Sequence, residues 1–422
     1  MKYTKKILKD GLRVITVPMP DAATVTVLVM VEAGSRYETK EINGVSHFLE
    51  HMCFKGTTNR PRLIDISREL DSIGASYNAY TSTEYTGYYA KSAAKHYGKI
   101  LDIVSDIYLN PILDEKEIEK EKGTVIEEIN MYEDQPADLL PNVLDELLYG
   151  DQPVGRTILG TKESVQMLKR DDIFDYRSRQ YVASGTTLII AGCFEEKQAF
   201  KDVAEKFADI SIAKKGTAPK VKEKQSEPGI RFRRKESEQT HIAIGVRAFS
   251  LFDKRAMALR MLNVVLSGGM SSRLFQKIRD EMGVAYYVYS YPTLRTDHGD
   301  FTIYAGIDNN RVPEVADAVM NELRKLKFEL VSDEELKKAK DYYAGQMALG
   351  LESTDEWASY YGGQEILHRE IKKPIDIAKE LNAVTAHDIR AVAKQLFIDK
   401  KLNFALIGRY KNEKIIKKLL KF

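Results

Sequence analysis

His47-Phe48-Leu49-Glu50-His51 decides the reading of this chain. As a helix, at about 100° per residue, it turns His51 only about 40° from His47, with Glu50 about 60° to the other side. The three polar side chains then share one face, within roughly 100° of arc. Two imidazoles can hold a divalent metal there, and the neighbouring carboxylate can take a proton from water. The order H-x-x-E-H inverts the H-E-x-x-H found on the helices of many zinc hydrolases. Ser46 is expected to cap the helix N-terminus, and Phe48, Leu49 and Met52 to form its packing face. Two histidines and a glutamate on a core-seeking helix are costly to bury unless something ligates them.

The chain of 422 residues exceeds one ordinary domain and fits two units of about 200. Its 64 basic and 62 acidic residues leave a net charge of +2, too little to favour nucleic acid. Two cysteines, Cys53 and Cys193, argue against a disulfide scaffold and for a reducing compartment. Cys53 points away from the histidine pair on the helix and reads as packing. The N-terminus runs straight into a strand-like segment, Gly11-Leu12-Arg13-Val14-Ile15-Thr16-Val17, without an apolar signal core. The apolar run Val25 to Val31 has strand length, short of a membrane span. A cytoplasmic protein without membrane or nucleic-acid partners is expected.

The pattern of elements occurs twice. Leu113-Asp114-Glu115-Lys116-Glu117-Ile118 is echoed by Val331-Ser332-Asp333-Glu334-Glu335-Leu336, a shift of 218 positions (331 minus 113). Gly11-Leu12-Arg13-Val14 is echoed by Gly229-Ile230-Arg231-Phe232 at the same shift. Each half opens on alternating β-branched strands (Thr24 to Val31; His241 to Val246), continues into a helix and returns to strand. In the first half, helices are expected over Ala94 to Tyr108 and Glu115 to Tyr132. The expected class is α+β, two homologous sheet-plus-helices domains in tandem. Their expected limits are 1–213 and 229–422, with a Lys-, Gly-, Pro- and Ser-bearing linker over 214–228. The same shift carries His47, Glu50 and His51 onto Val265, Gly268 and Gly269, so only the first half can hold the metal.

A catalytic zinc takes three protein ligands and an open position. The acidic helix Glu115 to Tyr132 offers Glu121 and Glu128, seven apart and about 20° from alignment, with Glu127 well off that line. The sequence resembles the insulinase/pitrilysin family of inverted-motif zinc peptidases, which includes the mitochondrial processing peptidases. The resemblance rests on Gly44-Val-Ser-His-Phe-Leu-Glu-His-Met-Cys-Phe-Lys-Gly-Thr, Asn78-Ala-Tyr-Thr-Ser-Thr-Glu-Tyr-Thr and Glu121-Lys-Gly-Thr-Val-Ile-Glu-Glu. Gly155-Arg-Thr-Ile-Leu-Gly and Gly268-Gly-Met-Ser-Ser-Arg-Leu-Phe extend it over essentially the whole chain.

The resemblance implies one Zn²⁺ per chain on His47, His51 and Glu128, with Glu50 as general base and Glu121 as a supporting acid that does not bind the metal. It also implies that Arg279 and Tyr286 hold the substrate backbone and the tetrahedral intermediate, as donors suited to a developing oxyanion. Asn78 and Ala79 would pair with an extended substrate by β-augmentation. The expected activity is a zinc metalloendopeptidase acting on oligopeptides or unfolded segments inside a homodimeric chamber. Two alternatives stand beside it: a processing-peptidase subunit needing a different partner, and a non-catalytic peptide-binding scaffold. The intact His47, Glu50, His51 and Glu128 set disfavours the scaffold, which has no use for a general base.

Overall fold

The computed structural model describes residues 1–422. Strands of the first half are β1 (Thr4–Ile7), β2 (Arg13–Pro18), β3 (Thr24–Val31), β4 (Ser76–Thr81), β5 (Thr86–Ala93) and β6 (Thr186–Gly192). Its helices are α1 (Val45–Cys53), α2 (Leu63–Asp71), α3 (Tyr97–Leu109), α4 (Glu115–Asp134), α5 (Pro136–Tyr149), α6 (Lys162–Met167), α7 (Arg170–Gln180) and α8 (Glu196–Lys206). The second half supplies β7 (Gly229–Arg234), β8 (Gln239–Arg247), β9 (Ala285–Leu294), β10 (Gly299–Asp308) and β11 (Asn403–Gly408). Its helices are α9 (Ala256–Ser267), α10 (Val312–Phe328), α11 (Asp333–Leu349), α12 (Thr354–His368), α13 (Pro374–Ala383), α14 (Ala386–Leu396) and α15 (Glu413–Leu419). No helix is long and apolar enough to cross a membrane.

Each half builds a mixed sheet to the same plan. The first runs β1-β2-β6-β3-β5-β4 and the second β7-β11-β8-β10-β9. The parallel pair β2·β6, with Val14 opposite Leu188, has its counterpart in β7·β11, with Ile230 opposite Phe404. All other pairs are antiparallel. This is the expected α+β class, with β4 and β9 as corresponding edge strands.

The compact units are cut differently from the chain halves. One comprises Met1–Ile129, Arg156–Pro219 and Gly350–Ile371; the other comprises Asn130–Gly155, Lys220–Leu349 and Lys372–Phe422. The expected limits of 1–213 and 229–422 do not coincide with these units, each of which includes a helix from the other half of the chain. Residues 214–228 carry no helix or strand, and the boundary between units falls at Pro219 within them.

The reason lies in strands buried on both faces. In β3, Val25, Val27, Val29 and Val31 pack into one core with Ile100, Val104 and Ile107 of α3, whereas Leu28 and Met30 point the other way. That second face, with Ile15, Val17 and Ile189, is covered by Trp357, Ala358 and Tyr361 of α12. A Cβ on Gly362 would lie 2.6 Å from Met30 Sδ, so the helix needs glycine to approach that closely. A buried ion cluster also ties α12 to the sheet. Glu365 accepts from Lys5 Nζ at 2.7 Å and lies 3.4 Å from Arg13 Nε. In the second unit, Leu140 and Leu144 of α5 cover Ala243, Ala405 and Ile407.

Candidate active site

The helix that carries His47 and His51 starts differently from the expectation. Ser46 lies in the first turn of α1, not at its cap, and its hydroxyl donates to Tyr176 at 2.7 Å. The free amides are satisfied by the buried Glu38 carboxylate, which accepts from Gly44 N at 2.8 Å and Ser46 N at 2.9 Å. An acid there also complements the positive end of the helix. Gly44 has φ +98°, and a Cβ on it would stand 2.5 Å from the Leu159 carbonyl, so both conformation and space demand glycine.

From that start, α1 buries Val45, Phe48, Leu49, Met52 and Cys53 in the core of the first unit. His47, Glu50 and His51 are left on the face that meets α4 and β4. Cys53 is fully buried near the Tyr88 hydroxyl, as the packing reading expects, and burial pushes its thiol up to about 11.

Three ligand atoms converge between α1 and α4. His47 Nε2 lies 3.6 Å, and His51 Nε2 3.7 Å, from Glu128 Oε2. All three lie within 4.8 Å of one another. Tetrahedral ligand atoms at zinc bond lengths stand about 3.3–3.5 Å apart, so the set fits one ion with small inward movements. The donor types, two imidazoles and a carboxylate, also suit zinc. Burial, helped by the neighbouring His51, pulls His47 down to about 3, so its imidazole is neutral and ready to coordinate.

Glu121, one helical face along α4, is 1% exposed and accepts from His51 Nδ1 at 2.8 Å. It also pairs with Lys55. This fixes the His51 tautomer and turns Nε2 toward Glu128. Burial alone would lower His51, but the Glu121 hydrogen bond, with the charges of Glu121, Glu50 and Glu128, raises it. Burial acts on Glu121 in the opposite sense and is outweighed by His51 and Lys55, which hold it low. Glu50 is pushed up by burial, against the hydrogen bond it accepts from Thr81. Glu127 is exposed on the same helix.

Asn78 and Ala79 lie on β4, the edge of the first sheet beside α1. Ala79 N–H donates to Asn78 Oδ1 at 2.9 Å. Arg279 and Tyr286 belong to the second unit and are exposed. Both occupy uncommon backbone. Arg279 sits in a π-helix, Phe275–Glu281, its guanidinium 5.1 Å from the Phe275 ring. Tyr286 is the extra residue of a bulge in edge strand β9: Ala285 pairs with Ile307 and Tyr287 with Gly306, leaving Tyr286 unpaired and 66% exposed. π-turns and bulges concentrate at functional sites, where they re-aim a side chain.

Three contributors escape sequence reading. Thr81 lies inside the quoted Asn78 stretch, but nothing in that stretch says that it reaches Glu50. Lys55 stands four residues after His51, a spacing that hints at a shared face. Glu38 has no local signal, because it reaches its helix across a loop.

Residues 13–162 match the family model described as Insulinase (Peptidase family M16), and residues 168–343 the one described as Peptidase M16 inactive domain. The chain is 37% identical to the uncharacterized zinc protease YmxG of Bacillus subtilis, over 93% of this chain and 95% of that protein. It belongs to the insulinase, or M16, peptidase family. The uncharacterized zinc protease ML0855 of Mycobacterium leprae is 32% identical, over 98% of this chain and 93% of its own length. The fold is that of a protease from Helicobacter pylori, with a TM-score of 0.89 at 23% identity over 96% of this chain and 99% of that one. An M16 inactive domain from Pseudomonas fluorescens gives a TM-score of 0.87 at 17% identity, over 97% and 99% of the two chains.

Proposed function

We propose that this M16 chain is a zinc metalloendopeptidase that hydrolyses peptide bonds in oligopeptides or unfolded segments, with Glu50 as general base. The observation that carries the reading is the convergence of His47, His51 and Glu128 beside Glu50, with Glu121 behind His51. Held by His47, His51 and Glu128, zinc would supply Lewis-acid polarisation of the scissile carbonyl and would lower the pKa of a water to about 7. Glu50 accepts a proton from the attacking water and passes it to the leaving amine. Half-burial, which raises Glu50, suits a group that must both take and return a proton.

Arg279 and Tyr286 donate to the oxyanion that develops as the carbonyl is attacked. Their π-helix and bulge support this role. An extended substrate adds to the outer edge of β4 at Asn78 and Ala79, and its backbone hydrogen bonds supply affinity without sequence preference. By the family resemblance we further propose a homodimer, one chain's zinc face working with Arg279 and Tyr286 of a second copy in a closed chamber. Full activity in a dilute, demonstrably monomeric sample would rule out that shared site.

The test is cleavage of quenched-fluorescent peptides by zinc-loaded wild type and Glu50→Gln. The variant should keep its metal and lose roughly 10²–10⁴-fold in kcat. Undiminished turnover in a metal-loaded Glu50→Gln chain would end the assignment of the base.

A further inference from the structure

We propose that Thr81 is the positioning residue of the general base, an inference that rests on the peptidase reading above. Its hydroxyl donates to Glu50 Oε2 at 2.5 Å, in the range of a charge-assisted hydrogen bond. That bond uses one carboxylate oxygen and leaves Oε1 for the attacking water. A glutamate has three rotatable bonds, and it reaches a proton productively only from a fraction of its rotamers. Thr81 selects among them.

Thr81 is itself well held. It is β-branched, which restricts χ1, and its backbone pairs with Thr86 across β4·β5. Its hydroxyl lies 3.4 Å from Thr86 Oγ1, and the fully buried Thr86 hydroxyl donates to the Ala33 carbonyl at 2.8 Å. With the Thr81 proton on Glu50 and the Thr86 proton on the Ala33 carbonyl, the two hydroxyls are only in contact, and the β4·β5 backbone pairing is what holds Thr81 in place.

Position on β4 gives the contact a second consequence. Ala79 lies two residues before Thr81 and, by strand alternation, on the same side. The strand whose outer edge takes the substrate thus also carries the group that aims the base.

The experiment compares the zinc-loaded full chain as wild type, Thr81→Val and Thr81→Ser on one fluorogenic peptide. It also measures the zinc affinity of each by competition with a chelator, and the melting temperature. Thr81→Val keeps the shape and removes the hydroxyl. Its kcat should fall roughly tenfold, the scale of one hydrogen bond to a charged group, with KM and zinc affinity within twofold of wild type. Thr81→Ser should recover most of the kcat. Equal kcat in wild type and Thr81→Val overturns the inference. So does an equal loss in both variants, or a loss that follows zinc affinity or melting temperature. A wild type that binds zinc and cleaves no peptide overturns the peptidase reading as well, an outcome distinct from the other three.

Discussion

At the scale of single residues, the site pairs two histidines in opposite electrostatic settings. His47 is neutral down to about pH 3 because burial and the adjacent imidazole both oppose a charge. His51 is raised because the carboxylates of Glu121, Glu50 and Glu128 outweigh its burial. A protonated imidazole cannot coordinate, so His51 must release its proton before zinc binds. Zinc affinity should therefore tighten as pH rises through a midpoint above the ordinary histidine value of about 6.5, and weaken below it. In Glu121→Gln that midpoint should move down, since the main partner of the imidazolium is gone. At high pH its affinity should fall about 10–100-fold. Chelator competition from acid to mildly alkaline pH measures both, and a pH-independent affinity in wild type would contradict the assignment of His51 as a ligand.

Among elements, α5 and α12 are the informative pair. Their first residues, Pro136 and Thr354, stand 218 positions apart (354 minus 136), the repeat shift, and each helix belongs to the compact unit built on the other half's sheet. They are not interchangeable in size. On α12, Gly362 admits Met30 and Ile189 of the first sheet, whereas the same repeat position on α5 is Leu144, which lies against Gly245 of β8. Gly362→Leu should overpack the interface with Met30 and Ile189 and cost about 1–3 kcal/mol. Urea denaturation followed by tryptophan fluorescence reads this directly, because Trp357 lies on the same helix. A midpoint unchanged from wild type would mean that the close approach is unimportant for stability.

For the whole molecule, the exchange means that the half carrying the candidate site is not a self-sufficient piece of sequence. A fragment ending at residue 213 keeps every zinc-site residue but lacks Gly350–Ile371. It therefore exposes Ile15, Val17, Leu28, Met30 and Ile189, all at most 1% exposed in the intact chain. An apolar face of that kind drives association, and Lys5 and Arg13 would also lose Glu365. The expected outcome is an aggregating or poorly folded fragment with little zinc binding, judged by light scattering, circular dichroism and metal content. A soluble, monomeric, zinc-binding fragment would show that α12 is dispensable.

What the sequence determined by itself was local or periodic. The His47–His51 spacing placed three groups on one helical face, Glu121 and Glu128 fell on one face of a second helix, and alternation in Thr24 to Val31 marked a strand. The repeat shift, visible without coordinates, already said that one half carries the H-x-x-E-H residues and the other lacks them. The family resemblance selected Glu128 over its acidic neighbours. Tertiary structure decided what depends on contacts distant in the chain. Apolar periodicity tells that a helix has a buried face but not which sheet buries it, so the exchange of α5 and α12 left no sequence signal. Glu38 as the cap of α1, Thr81 on Glu50 and Lys55 behind Glu121 are likewise products of approach in space. A hydrogen bond depends on distance and direction, and neither is written in residue order.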